Sequence, residues 1–169
     1  MRLMLIQLDT EPLPSTFDRV VAVDAGADEV FAYGGVTPQN VTPLVHGAIF
    51  TRGPDELKHT AIFIGGSDVA AGEAVLARVT ETFFGPMRVS VMMDSNGSNT
   101  TAAAAVQVAS RHVAFDGLKV LVLGGTGPVG HRASQILAAR GAHVRVASRS
   151  KERAAATCDA IRAVVDGAV

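Results

Sequence analysis

The chain has 169 residues, of which 48% are hydrophobic, with a mean hydropathy of +0.29 and a formal net charge of -1. That length accommodates one ordinary domain or two small ones, and the apolar content excludes a disordered chain. The 15 basic and 16 acidic residues form no basic stripe and there is no Trp, which excludes a nucleic-acid groove and a base-stacking platform. No stretch reaches transmembrane length, and the apolar run within residues 1–8 is too short for a signal peptide, so no membrane partner is expected. The single cysteine, Cys158, falls among small apolar residues in a helical pattern and reads as a structural thiol. A chain without internal disulfides suits a reducing compartment, and a cytoplasmic location is expected.

Leu3–Leu8 is a continuous apolar run closed by Asp9 and predicts a buried strand. After Pro12 and Pro14, Ser15 is placed to cap a helix carrying Phe17, Val20 and Val21 on one face. Val30–Tyr33 predicts a second strand, stopped by Gly34 and Gly35. A short helix is expected next, with Thr37 as N-cap and Pro38 at its first position. Ala61–Ile64 predicts a strand, and residues 68–84 a helix with Val69, Val75, Leu76 and Val79 at helical spacing. Arg88–Met93 predicts a strand that runs into a polar segment, and Thr100–Phe115 an Ala/Val-rich helix. Asp116 and Gly117 then break the pattern, and the domain junction is expected there, giving domains over 1–116 and 117–169. Past the break, Leu118–Leu123 predicts a strand, Pro128–Arg140 a helix, His143–Ala147 a strand and Lys151–Val165 a helix. Strands alternating with helices indicate an α/β fold with parallel sheets. A full dinucleotide fold needs two βαβαβ halves, and residues 118–169 supply two strands and two helices. The expectation is therefore the front part of a longer polypeptide.

Gly125, Gly127 and Gly130 form a G-x-G-x-x-G loop, Gly125-Thr-Gly-Pro-Val-Gly130, directly after an apolar strand and opening a helix. In such a loop Gly125 permits the tight turn, Gly127 lets the backbone approach a pyrophosphate, and Gly130 lets helix and strand pack closely. Thr126, Pro128 and Val129 complete the cradle, and the helix dipole faces the phosphates. The next strand chooses the cofactor. An NAD site normally ends that strand in an acid that binds the ribose hydroxyl. Here the residues are Ser148, Arg149 and Ser150, a planar fork between two hydroxyls, which suits a 2′-phosphate and favours NADP. The bland alternatives are a glycine turn that serves packing and an Arg149 that is a solvated helix-start residue.

In the front half, Gly65-Gly66-Ser67-Asp68 and Asp94-Ser-Asn-Gly-Ser-Asn-Thr-Thr101 both follow strands, where open α/β sheets bind ligands. All but Gly97 in the second segment have hydrogen-bonding side chains, more than one helix cap requires.

These segments resemble the NADP-dependent methylene-tetrahydromethanopterin dehydrogenases of one-carbon metabolism. The resemblance lies in the polar run with its continuation Ala102-Ala-Ala104, in the Gly125–Gly130 loop, and in Phe17-Asp18, Asp24-Ala-Gly-Ala-Asp28, Thr51-Arg-Gly53 and Phe83-Phe-Gly-Pro86. It spans essentially the whole chain. It implies a pterin-binding α/β domain joined to a Rossmann-type NADP domain, with the pterin in the cleft between them and Val169 inside the NADP domain. It further implies hydride transfer from methylene-tetrahydromethanopterin to NADP, no metal, and a homo-oligomer with a trimer as the candidate form. Folate is the other possible carrier.

The implied product is a cation shared by two ring nitrogens, so the protein must supply approach geometry and a field that tolerates positive charge. Asp94 and Asn96 are the candidate catalytic residues. Asp9, Ser95, Ser98, Asn99, Thr100 and Thr101 are candidates for substrate binding. The five histidines (His46, His59, His112, His131, His143) are scattered and read as surface or helix residues. The folate dehydrogenase–cyclohydrolases use a Tyr and a Lys on one helix, and Lys58, Lys119 and Lys151 lack that spacing from Tyr33. Two alternatives remain: a non-catalytic NADP-binding module, and a different oxidoreductase on the same architecture, such as a methylene-tetrahydrofolate dehydrogenase or a shikimate-type enzyme.

Overall fold

The apolar run after Arg2 forms strand β1 (Met4–Asp9), one of two interior strands of a parallel sheet in a computed structural model that describes residues 1–168. Val169 lies outside the described residues. Two compact units divide the chain, Met1–Asn96 and Gly97 onward.

In the first unit, helix α1 (Thr16–Asp24) follows β1 and leads into β2 (Glu29–Tyr33). Helix α2 (Thr42–Phe50), a 3-10 helix over Pro54–His59, β3 (Thr60–Gly65), α3 (Val69–Thr82) and β4 (Ser90–Met93) complete it. The strand order is β2-β1-β3-β4, with every pairing parallel. Leu8 of β1 and Ile62 and Ile64 of β3 are buried with Val41, Val45 and Ile49 around α2 and with Val75 and Val79 of α3. That burial is what the expected apolar spacing of α3 predicts. The chain leaves β1 for one side of the sheet and returns to the other side for β3. Their carboxyl ends, at Asp9 and its register partner Gly65, are therefore a topological switch point.

One local expectation fails in this unit. No helix starts at Thr37, because the Asn40 side chain accepts from the Thr37 amide at 2.8 Å and donates to the Gly35 carbonyl at 3.0 Å, closing a turn instead. Helix α2 begins five residues later, with Pro43 in its first turn. Helix α1 is capped by Ser15 as expected, its hydroxyl accepting from the Asp18 amide at 3.2 Å. Its apolar face is not buried, however, and Phe17 remains 76% exposed.

The second unit opens with helix α4 (Ser98–Ala109) and continues through β5 (Lys119–Leu123), α5 (Pro128–Ala139), β6 (His143–Ala147) and α6 (Lys151–Arg162). β5 and β6 form a two-stranded parallel sheet. Val106 of α4 and Phe115 are buried with Leu137 and Ala142, which places α4 in this unit. The compact division thus falls between Asn96 and Gly97 rather than at the expected junction. Asp116 and Gly117 form a turn: Gly117 adopts φ +67° and its amide bonds to the Gly141 carbonyl at 2.9 Å. β5 is half-buried on one face, through Val120 and Val122, with Leu121 and Leu123 exposed on the other. No helix among the described residues is long and apolar enough to cross a membrane.

Candidate functional site

At the switch point of the first unit, Asp9 is buried and both of its carboxylate oxygens are committed. Oδ1 accepts from the Glu11 amide and Oδ2 from the Ser15 amide, each at 2.9 Å. Asp9 therefore fixes the loop that delivers the N-cap of α1. Gln7, on the same face of β1, reinforces that loop by donating to the Ser15 carbonyl at 3.3 Å. Ser67 donates to the Glu11 carboxylate and ties the loop after β3 to the loop after β1.

Asp18, in the first turn of α1, joins this cluster and was not anticipated as a site residue. A side-chain carbon added to Gly65 would lie 3.2 Å from Asp18 Oδ2 and 3.4 Å from Asp9 Oδ2, so the two carboxylates converge on that glycine. Partial burial pushes the Asp18 carboxyl above its ordinary range, the negative charges of Asp9 and Asp94 push it further, and the hydrogen bond with Ser15 opposes them. Among the described residues no three His, Cys, Asp or Glu side chains are placed to hold a metal ion.

A raised folded-state pKa has a definite consequence for stability. The native state holds the Asp18 proton more tightly than the unfolded state, so ionising Asp18 costs stability as pH rises through the window between the two pKa values. Asp18→Asn is therefore expected to raise the melting temperature at neutral pH. The gain should vanish at acidic pH, where the wild-type carboxyl is protonated in both states. A variant less stable than wild type at neutral pH would show that the carboxylate's hydrogen bonds outweigh its desolvation.

The polar run after β4 is divided between the units. Asp94 is half-buried, its amide bonding to the Ile64 carbonyl at 3.0 Å. Ser95 is fully buried, donates to the Gly65 carbonyl at 3.4 Å and packs so closely on Gly72 of α3 that a side chain there would collide with it. Asn96 is exposed and adopts φ +57°, alone among the described non-glycine residues in that region, and its amide bonds to the Gly66 carbonyl at 2.7 Å. Left-handed geometry is tolerated by Asn better than by most residues, and such strain concentrates at functional sites. Ser98 opens α4 fully buried, Asn99 is half-buried, and Thr100 and Thr101 are exposed.

In the second unit the glycine loop turns from β5 into α5. The left-handed residue is Gly124 at φ +69°, not Gly125, which corrects the expected division of labour. Gly125 is required for another reason: a side chain there would meet Val146 of β6 at 2.8 Å. Gly130 is required for the close approach of helix and loop, since a side chain would meet the Gly124 carbonyl oxygen at 2.5 Å. Gly127 differs from both. A side chain there would meet only the Gly124 oxygen, at 3.5 Å, an ordinary contact that packing does not forbid. Gly127 is the N-cap of α5 with no side chain to serve as cap, Pro128 follows it, and Val129 and Gly130 complete the first turn.

A cavity of about 570 Å3 lies along this loop, lined by Gly124, Thr126, Gly127, Ala147, Ser148, Arg149, Ser150 and Arg153. The Thr126 and Ser148 hydroxyls are 3.2 Å apart across it. Ser150 is the N-cap of α6, accepting from the Arg153 amide at 3.2 Å and donating to Glu152 at 2.8 Å. That donor is thereby engaged within the chain. Arg153 was not anticipated at this site. The structure brings Thr126, Gly127, Ser148, Arg149 and Ser150 together as the sequence suggests. A second cavity, of about 430 Å3, lies in the first unit beside β1, β2 and α2 and contains none of the expected site residues.

The model for the N-terminal region of methylene-tetrahydromethanopterin dehydrogenase matches residues 16–96. The chain is also 51% identical to the bifunctional protein MdtA of Methylorubrum extorquens over 160 residues, 94% of this chain and 56% of that relative. It belongs to the methylene-tetrahydromethanopterin dehydrogenase family. A second relative from the same organism, an NAD(P)-dependent methylenetetrahydromethanopterin dehydrogenase, is 34% identical over 146 residues, 82% of this chain and 49% of the relative. The chain thus spans about half the length of the curated relatives it matches. In this family member the matched segment runs from the start of α1 to Asn96 and takes in Asp18, Gly65 and Asp94.

Proposed function

We propose that this chain contributes the NADP-binding loop and part of the pterin site of a dehydrogenase that moves a hydride from methylene-tetrahydromethanopterin to NADP. The observation that carries the reading is the cavity beside Gly127, with Arg149 on its wall, in a member of this family. The β5–α5–β6–α6 segment is read as the first half of a Rossmann-type domain. Three features of the loop suit a dinucleotide. The space above Gly127 is open where a side chain would intrude, the first turn of α5 lacks a side-chain cap, and the strand after it is followed by Ser148 and Arg149 rather than an acid.

When bound, the nicotinamide supplies the carbon that accepts the hydride. The chain's own residues then orient the carrier and favour positive charge on it. Asp94 lowers the energy of a neighbouring cation by Coulomb attraction, which is larger in a partly buried site than in water. Asn96, held in left-handed geometry, presents its amide from a fixed backbone. Asn99, Thr100 and Thr101 offer donors and acceptors for the ring edges, while Asp9 fixes the loop after β1 and Ser95 holds the segment after β4 to Gly65. Asp18 is added to the residues whose charge reaches this segment.

Calorimetric titration of the 169-residue chain with NADP and NAD tests the reading. NADP should bind more tightly. Arg149→Ala should weaken NADP by about 1–3 kcal/mol, the loss of a charge-assisted contact, and leave NAD nearly unchanged. Equal losses for the two cofactors would overturn the assignment of Arg149 to the 2′-phosphate.

A further inference from the structure

The cavity along the glycine loop carries a second guanidinium that the reading above does not use. Arg153 lies in the first turn of α6 and lines the same space as Ser148, Arg149 and Ser150. Its backbone is held in place, since the Ser150 hydroxyl accepts the Arg153 amide at 3.2 Å. Among the described residues neither Arg149 nor Arg153 is in an ion pair. The acid between them in sequence, Glu152, accepts the Ser150 hydroxyl at 2.8 Å, and its own backbone amide, with that bond second, holds its carboxyl below the usual range.

The placement of charge here is locally unfavourable. Arg149, Lys151 and Arg153 gather within five residues at the start of α6. That end of a helix carries the positive pole of its dipole and favours anions over cations. Only Glu152 offsets them in the first turn. Local conflicts of this kind are expected where a ligand resolves them. A phosphomonoester carries roughly -1.5 to -2 charge near neutral pH, more than one guanidinium neutralises.

We propose that Arg153 is a second specificity-determining residue, which closes with Arg149 on the 2′-phosphate of the cofactor. The proposal rests on the NADP reading and adds to it a two-guanidinium clamp, with one arm from the end of β6 and the other from the first turn of α6. The phosphate receives a planar donor fork from each arm, and the dipole of α6 acts in the same direction. The Ser150–Glu152 hydrogen bond keeps the intervening acid turned to the cap of the helix. Arg149 and Arg153 then find their counter-charge only in a cofactor that carries the extra phosphate.

The test uses the 169-residue chain and the variants Arg149→Ala, Arg153→Ala, Arg153→Lys and Arg153→Glu. Each is titrated calorimetrically with NADP, NAD, adenosine 2′,5′-bisphosphate and AMP, and its melting temperature is measured without ligand. Arg153→Ala should weaken NADP and the bisphosphate by about tenfold or more, and Arg153→Lys should recover part of that loss. NAD and AMP should be unaffected by either. Arg153→Glu should remove the preference for the phosphorylated ligands. It should also melt no lower than wild type, because an acid replaces a cation at the positive end of the helix. Unchanged NADP affinity in Arg153→Ala, alongside a loss in Arg149→Ala, would overturn the clamp and leave the NADP reading standing. Wild-type protein with no preference for the 2′-phosphate would overturn both. Equal losses for all four ligands, or a lower melting temperature in Arg153→Glu, would assign Arg153 to the fold and overturn the proposal.

Discussion

Gly127→Val is expected to abolish binding of NADP and NAD alike while the protein still folds. The backbone at Gly127, φ -80° and ψ 164°, lies in the extended region that Val adopts readily. The added Cβ would meet only the Gly124 carbonyl oxygen, at 3.5 Å. The structural cost is confined to the N-cap of α5, where replacing Gly with an aliphatic residue costs about 1 kcal/mol. Binding responds differently, because the branched side chain occupies the space a pyrophosphate needs for close approach to the backbone. Titration should give no binding heat with either cofactor, and thermal unfolding should remain cooperative at a slightly lower temperature. An affinity equal to wild type would mean that the nucleotide does not lie over this loop.

The contrast among the loop's glycines shows what the sequence made legible. The G-x-G-x-x-G spacing between an apolar strand and a helical pattern located the loop and its neighbours. It assigned the tight turn to Gly125, whereas the residue at positive φ is Gly124, which lies just outside the pattern. What requires glycine at 125 is the close packing of Val146, a tertiary contact that the spacing does not reveal. The strands were legible from their apolar runs, and α3 from its spacing, because those side chains meet other elements. Helix α1 shows the limit: spacing identified which residues share a face, while exposure of Phe17, Val20 and Val21 depends on whether anything covers that face. At Thr37 the Thr-Pro pair suits a helix start and a turn equally, and the Asn40 side chain selects the turn.

Asp18 and Arg153 were missed for a shared reason. Each lies in the first turn of a helix, where a charged residue near the cap is ordinary and carries little signal. The loop that Asp9 holds at Ser15 brings Asp18 near it, the pairing of β1 with β3 sets both beside Gly65, and the opening beside β5 and β6 puts Arg153 on the same wall as Arg149. The domain junction misled for a related reason. Asp116 and Gly117 form a strong local break, but packing of α4 with α5 determines which unit the helix joins.

Gly130→Ala should behave as the opposite of Gly127→Val, losing stability before it loses binding. Gly130 sits in the first turn of α5, where an added methyl would lie 2.5 Å from the Gly124 carbonyl oxygen and 2.8 Å from the Gly125 Cα. Both are backbone atoms and have no rotamer through which to move aside, so the turn and the helix must separate. Overpacking of this kind costs about 1–3 kcal/mol, sometimes more. The better helix propensity of Ala recovers at most about 1 kcal/mol, so the net effect is destabilising. The strain falls on the contact that sets α5 against β5, and amide exchange should therefore quicken in β5, α5 and β6. The sheet of Met4–Met93 should keep its protection. Denaturant unfolding measures the loss, hydrogen exchange locates it, and cofactor affinity should fall only as far as the loop is displaced. Wild-type stability with unchanged exchange would show that helix and loop do not approach this closely. The requirement for glycine at 130 would then have to come from a ligand, as proposed for 127.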